Sequence, residues 1–428
     1  MNVEIRPVVS GGKCDRTPVR GKILLVTSSY PKTAGEPSGV FLHLLSKELA
    51  NLGWRVLVLA PNFPGGRSHE FIDGIEIRRF TYFIPNCQLL CYRSGILPNL
   101  RRSPYLWLLV PFYLTSLLCA MLRCIARDSV NVIHAHWIVP QGVVTWLMRA
   151  FTRTPVVLTV HGGDVFAFQG RIGKRLKRLA LKGARICTAN SRSTREQVLK
   201  SCSETPIRVL PMGVDTAEFQ PLSQGATLRN ELQVRGEMIL FVGRLVRKKG
   251  LHQLLLAMPD LLKDFPSAVL VVIGDGAQRD QLELMVRQLG IAESVRFLGK
   301  LPHHILPQYY NSADVFVGPS VVDSAGDTEG LGVVFLEAAA AGLAMIGSSV
   351  GGISDILIHE RTGLVVEPDE PNQLLRAIKR LLSDAELRLR LGQAARSHIL
   401  TQFTWDRIAR EFSKIFEEIL QPECETDQ

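Results

Sequence analysis

Glu329 and Glu337 stand eight residues apart, with Gly330-Leu331-Gly332 and an apolar stretch between them and an alanine run after them. The pattern fits a helix beginning near Leu331, whose unpaired amides and dipole would favour phosphate. Glycines at its start would let a diphosphate approach the backbone. At roughly 1.5 Å rise per residue the two carboxylates would lie up to about 12 Å apart. That spacing suits gripping hydroxyl-bearing groups, a sugar and a ribose, on either side of a diphosphate. A helix with an acidic start and one exposed glutamate explains the same residues without a ligand.

Phe241–Gly250 reads FVGRLVRKKG. It follows a strand, so Arg244 and Lys249 fall just past the carboxyl edge, where open α/β sheets bind ligands. A guanidinium and an ammonium converging there would neutralise a diphosphate and the charge that develops as it leaves. A solvated basic turn is the alternative. His161-Gly162-Gly163-Asp164 follows Val156–Val160 in the same way. Its glycines free the backbone, and His161 and Asp164 stand at the ligand edge, although a lone histidine is more often structural. Ser38-Gly39 opens the first helix and is another candidate anion site. Three further groups read more plainly. Ser193 and Glu196 have capping-box spacing. His134 and His136 share a strand face, yet no carboxylate or cysteine is placed with them to complete a metal site. Asp323 and Asp327 fit turn chemistry at least as well as a cation site.

These groups need a frame that brings distant loops together. Short β-rich runs alternate with helical segments along the chain, the α/β signature. Lys22–Thr27 and Arg55–Ala60 suit strands buried on both faces, with a helix over Gly39–Leu52 between them. More strands are expected at Val132–His134, Val156–Val160, Arg185–Ala189 and Arg208–Leu210. The pattern restarts at Met238–Val242, Val269–Ile273, Val295–Leu298, Val315–Val317, Ala344–Ile346 and Leu364–Val366. The economical fold is α/β, two doubly wound parallel sheets in series joined near Pro211–Pro221. Residues 20–212 and 213–404 would then form separate domains.

The chain has 428 residues, 46% of them hydrophobic and 21% charged, which excludes disorder as its main state. Its eight cysteines include no Cys-x-x-Cys pair, so a zinc ribbon or dithiol redox motif is not on offer. The first twenty residues hold no apolar core followed by small residues. No signal peptide is expected from them, and a reducing compartment is. Net charge is +10, divided into +18 over residues 1–212 and −8 over residues 213–428. The basic half calls for an anionic partner. Zinc-finger spacing and the aromatic ribonucleoprotein signature are both missing, so nucleic acid is not expected. Ser103–Leu122 carries no charge over twenty residues, long enough to span a bilayer. A span would place the strands at Lys22–Thr27 and Val132–His134 on opposite sides, so a buried or interfacial helix is expected. Arg171–Arg185 has seven basic residues and no acid, with Ile172, Leu176, Leu179 and Ala180 along one helix side. It reads as a solvated helix, a membrane-surface patch, or both.

From about Lys22 to Leu420 the chain resembles the retaining, nucleotide-sugar-dependent glycosyltransferases of the GT-B fold, family 4. The motifs are Gly39, His161-Gly-x-Asp164, PMGVD at Pro211–Asp215, GRLVRKKG, Gly274-Asp-Gly276 and EGLGVVFLE. The resemblance implies two Rossmann-like domains facing a central cleft, with a last helix over residues 405–421 crossing back onto the first. It implies that Glu329, with Gly330, Leu331 and Gly332, sits by the donor sugar and that Glu337 holds ribose hydroxyls. Arg244 and Lys249 would hold the diphosphate, and His161 would touch the donor sugar, with Gly39 and Asp164 also at the donor. His161, Arg244, Lys249 and Glu329 form the implied catalytic set. The loop near Gly39 departs from the family, reading AGEPSG in place of paired glycines.

Enzymes of this kind keep the anomeric configuration, the leaving diphosphate helping to deprotonate the acceptor hydroxyl. No enzyme nucleophile is demanded. With phosphate charge met by Arg244, Lys249 and helix amides, no metal or other cofactor is expected beyond the nucleotide-sugar co-substrate. HAHWIVPQG and DSAGDTEGLG look like segments of bacterial transferases that build exopolysaccharide, such as the colanic-acid type, on a lipid carrier. The implied partners are a nucleotide-sugar donor, a lipid-linked or saccharide acceptor and an anionic membrane surface. The implied location is cytoplasmic, peripheral on the inner face of the plasma membrane. A Rossmann dehydrogenase is excluded because KILLVTSSYPKTAG lacks Gly-x-Gly-x-x-Gly. An epimerase and a non-catalytic nucleotide-sugar-binding protein on the same fold are the alternatives.

Overall fold

Continuous apolar runs form strands buried on both faces wherever helices cover a parallel sheet. The computed structural model describes residues 20–33, 36, 39–92, 95–166, 170–200, 205–222, 225–324 and 326–421. It contains two such sheets. The first holds β1 (Gly21–Val26), β2 (Trp54–Pro61), β3 (His69–Ile72), β4 (Ile75–Phe80), β5 (Val132–His136), β6 (Val156–Val160), β7 (Ile186–Ala189) and β8 (Ile207–Val209). Their order is β3-β4-β2-β1-β5-β6-β7-β8, and β3 alone among them runs antiparallel. The second holds β9 (Met238–Val242), β10 (Val269–Ile273), β11 (Val295–Gly299), β12 (Val315–Gly318), β13 (Met345–Ser348) and β14 (Leu364–Val366). Its order is β11-β10-β9-β12-β13-β14. In each sheet the winding reverses beside the first strand, between β1 and β5 and between β9 and β12. Loops part there, and ligands bind in the crevice.

The returning chain ties the two units together. Val214 bridges Thr404, where the chain returns, and Thr404 caps the helix Trp405–Leu420. That helix buries Ile408, Phe412, Ile415 and Phe416 in the core of the first sheet, and Trp54 Nε1 donates to Ser413 Oγ at 2.9 Å. The C-terminal helix therefore completes the first unit.

Residues Pro104–Asp128 form one helical stretch, long and apolar enough by length and composition to cross a membrane. Packing gives it another use. Tyr113, Leu117, Met121 and Cys124 are buried, and Asp128 accepts from Lys22 and Arg78, each at 3.0 Å, pinning the far end to the sheet. β1 and β5, on either side of it in sequence, pair directly. The basic helix, Arg171–Gly183, corrects the expected face: Gly173, Lys177, Ala180 and Leu181 are buried, while Ile172 is 77% exposed. Lys177 points inward because its Nζ donates to the Val165 carbonyl. The next helix, Arg192–Leu199, is capped by Ser191, whose Oγ accepts from the Thr194 amide at 3.0 Å, so Ser193 is not the cap.

Candidate active site

At the carboxyl edge of the second sheet the loop after β9 meets the loop before the helix Val333–Ala340. Lys249 and Glu329 form an ion pair there, with side chains only 13% and 14% exposed. Lys248 donates to Asp327 Oδ2 at 2.9 Å and to the Thr328 carbonyl at 3.0 Å. Burial pushes the Glu329 carboxyl up, but Lys249, Lys248 and Arg244 outweigh it and hold the group below its ordinary value. Glu329 is thus an ionised carboxylate in a nearly dry site. Arg244, an exposed residue, lines the same cleft.

Backbone contacts hold that carboxylate in place. A Cβ at Gly351 would lie 1.9 Å from the Glu329 carbonyl, to which the Gly352 amide donates at 3.1 Å. Nothing local in the sequence ties Gly351-Gly352 to this site. The helix starts at Val333, later than Leu331, because Leu331 is drawn into the core and Gly332 sits at φ 87°. Asp323 and Asp327 do close a turn, the Asp327 amide donating to Asp323 Oδ1 at 2.9 Å.

The facing loops of the first sheet carry neutral groups. His161, after β6, has Nε2 3.0 Å from Nδ1 of His136 at the end of β5, with the rings stacked. Burial pushes both imidazoles down, His161 to about 3, so both are neutral at pH 7 and one donates to the other. His134, on the same strand face, has its ring centroid 4.2 Å from that of His136 and bonds Thr159 Oγ1 at 2.8 Å. Among the described residues, no group of three or more His, Cys, Asp or Glu is placed to hold a metal. With Nε2 engaged, Nδ1 of His161, a cleft-lining residue, is buried without a protein partner.

The two sides touch. A Cβ at Gly162 would lie 2.7 Å from Gly330 Cα, and Thr194 Oγ1 donates to the Gly330 carbonyl at 3.4 Å. Between them opens a cleft of about 1060 Å³, lined by His161, Asn190, Arg244, Lys249, Glu329 and Gly330–Gly332 among others. A few convergent charged groups in a cavity of this size suit a nucleotide-sized ligand.

Three expected site residues have structural roles in the packed chain. Glu337 is buried and held by two protein donors. Its Oε1 accepts from His303 Nε2 at 3.0 Å and its Oε2 from Tyr310 Oη at 2.7 Å. Glu329 precedes the helix Val333–Ala340 and Glu337 lies within it, so helical spacing does not govern the pair. Asp164 reaches the cleft, but Oδ2 accepts from the Ile138 amide at 2.9 Å and Oδ1 from the His161 amide at 3.2 Å. It clamps the His161 loop. Gly39 caps the first helix at φ 76° because a Cβ there would lie 2.6 Å from the Ser29 carbonyl. Ser28 and Ser29 line the cleft in its place. Ser38 lies outside the described residues. Lys248, His136 and Asn190 join the site only through packing, Asn190 by donating to the His161 carbonyl at 3.3 Å.

Residues 38–218 match the Glycosyltransferase Family 4, and residues 228–398 match the Glycosyl transferases group 1. An uncharacterized glycosyltransferase of Methanocaldococcus jannaschii is 32% identical, over 92% of this chain and 97% of its own. A GDP-mannose-dependent alpha-(1-6)-phosphatidylinositol monomannoside mannosyltransferase of Mycobacterium tuberculosis is 30% identical, over 68% of this chain and 77% of its own. The sucrose-phosphate synthase of Thermosynechococcus elongatus shares the fold, with a TM-score of 0.76 at 24% identity over 94% of this chain and 99% of that one. With both sheets matched and the charged cleft at their switch points, the chain belongs to the group 1 glycosyl transferases of GT-B fold and is a glycosyltransferase.

Proposed function

We propose that the enzyme moves a hexose from a nucleotide-diphosphate sugar to a hydroxyl of a lipid-linked saccharide or similar membrane-associated acceptor, with retention of configuration. Polysaccharide or glycolipid synthesis at the cytoplasmic face of the membrane is the setting that fits. The observation that carries this reading is the cluster of Arg244, Lys248 and Lys249 around an ionised Glu329, opposite His161. A diphosphate beside Arg244 and Lys249 meets two cations and the amides at the start of the helix Val333–Ala340. As the bond from the anomeric carbon to the diphosphate oxygen breaks, these groups stabilise the charge on the leaving oxygen. Glu329 faces the opposite charge that grows on the sugar ring. The leaving oxygen takes the acceptor's proton, and the new bond forms on the face it vacates.

His161 Nδ1 serves the donor sugar. Glu337 keeps carboxylate lone pairs beyond those used by His303 and Tyr310, and these serve the ribose. The protein's own cations meet the phosphate charge, so the reading requires no metal. The phosphatidylinositol-linked acceptor in the name of the mycobacterial relative supports the acceptor class, as does the +18 charge of residues 1–212.

The test is incubation with GDP-mannose, UDP-glucose and UDP-N-acetylglucosamine, following nucleotide release and the anomer by NMR. Hydrolysis or transfer with retention is expected. An isomerised nucleotide sugar would make the protein an epimerase, and binding without turnover would make it a sensor.

A further inference from the structure

The cleft does not end at its charged groups. On the first-unit side it continues between residues 90–92 and 95–114 and the turn after β5, walled by Leu90, Ile96, Leu97, Val110, Leu114 and Val143. Among the described lining residues from Leu90 to Val143, Arg101 is the one charged side chain. A sugar or an inositol has no use for such a wall, because its hydroxyls would lose water without gaining partners. A hydrocarbon chain gains there, by about fourfold in affinity for each methylene buried.

The outer end of this arm opens onto apolar surface. Trp107, a lining residue, is 51% exposed, and Tyr105, Leu108 and Phe112 beside it are 65%, 74% and 53% exposed. Arg101 and Arg102 end the preceding helix, Ile96–Arg102. Leu176 of the basic helix also lines the cleft, and that helix exposes Arg171, Ile172, Lys174 and Arg175. Tryptophan and tyrosine beside arginines, at the border of an apolar surface, are what a bilayer interface selects. The cations add attraction to an anionic leaflet.

We propose that this apolar arm binds the hydrocarbon chain of a phosphate-bearing amphiphile, which enters from the bilayer past Trp107 and Leu108 while Arg101 meets its phosphate. The proposal rests on the transferase reading only for direction: a chain seated in the arm points its headgroup at Glu329 and Lys249. The donor thus comes from water and the acceptor from the membrane, at opposite ends of one cleft.

Alkyl phosphates below their micelle concentration are the probe, with affinity read by calorimetry. Decyl phosphate should bind at least about 30-fold more tightly than butyl phosphate or inorganic phosphate. The double variant Leu97→Asn, Leu114→Asn should remove that difference while GDP and UDP bind within twofold of wild type. Arg101→Gln should weaken all the alkyl phosphates alike. Vesicles of phosphatidylglycerol brominated on its chains should quench wild-type tryptophan emission more than that of Trp107→Phe.

Equal affinity for butyl and decyl phosphate overturns the chain site, as does unchanged decyl phosphate binding in the folded double variant. If that variant fails to fold, the chain-length series on wild type decides alone. Absence of Trp107-dependent quenching overturns entry from the bilayer. Nucleotide-sugar hydrolysis without chain-length dependence would sink the arm and leave the transferase reading. Chain-length dependence without any turnover would do the reverse.

Discussion

At the carboxyl edge of the second sheet, Arg244, Lys248 and Lys249 gather around Glu329, while at the matching edge of the first sheet three neutral imidazoles pack together. The net charges of the two halves run the other way. Among the described residues, the half with +18 exposes most of its cations on outer surfaces and lines its part of the cleft mainly with neutral and apolar groups. The half with −8 places Arg244, Lys248 and Lys249 in the cleft. Net charge therefore describes what a domain meets from outside, and burial decides what its site presents. Both edges are switch points of the same kind of sheet, so the fold supplies the place and the packed side chains supply the chemistry.

The contrast is broken most directly at Lys249. Lys249→Ala leaves the Glu329 carboxylate in a nearly dry site without its closest cation. Turnover of the nucleotide sugar should fall on the order of 10³-fold, and the acid limb of kcat/KM should move to higher pH as Glu329 becomes easier to protonate. Near-wild-type turnover would end the account of the charged half.

Acid and alkali should separate the halves next. Burial lowers the pKa of His134 and His161 to about 3, and of His136 well below its ordinary value. The unfolded chain then takes up protons first, so stability falls as pH drops below about 6.5, by roughly 1–2 kcal/mol per histidine at pH 5. His303 has the opposite sign. Burial lowers its pKa, but Glu218 and Glu337 reverse that and raise it to about 10. Its contribution is full below about 6.5 and is lost as pH rises through about 10. Hydrogen exchange should show the first sheet opening first at pH 5 and the loops around Glu337 opening first near pH 10.

Smaller effects sharpen the comparison. Gly351→Ala forces a Cβ against the Glu329 carbonyl and should cost about 1–3 kcal/mol in thermal unfolding, with activity falling alongside. His136→Ala removes one hydrogen bond to His161 and should lower kcat/KM about tenfold. Replacing the exposed Arg171, Lys174 and Arg175 with glutamine should release the protein from anionic vesicles while stability stays within about 0.5 kcal/mol. Lys177 is left out of that set because its ammonium is buried on the Val165 carbonyl. A large fall in melting temperature in the triple variant would show that these cations hold the fold together.

Much of this molecule was written in local pattern. A strand covered on both faces needs a continuous apolar run, so KILLVT, RVLVLA and their later counterparts announce both sheets, and the restart after Pro211 announces two units. Arg244, Lys249, His161 and Glu329 were legible because each lies in a glycine-rich loop directly after a strand or before a helix. Partners were a different matter. His136 reaches His161 because parallel register sets it beside Thr159 on the neighbouring strand. Gly351 lies under Glu329, His303 and Tyr310 occupy Glu337, and Lys177 turns inward while Lys174 turns out. Each of these depends on which distant elements pack together, and the composition of a segment carries no information about its neighbours in space. The sequence alone determined the elements, their layering and the loops that carry chemistry, because those follow from periodicity and backbone freedom. Only the tertiary structure decided which of those side chains are charged, paired or facing the cleft, because desolvation and hydrogen-bond partners exist only once the chain has packed.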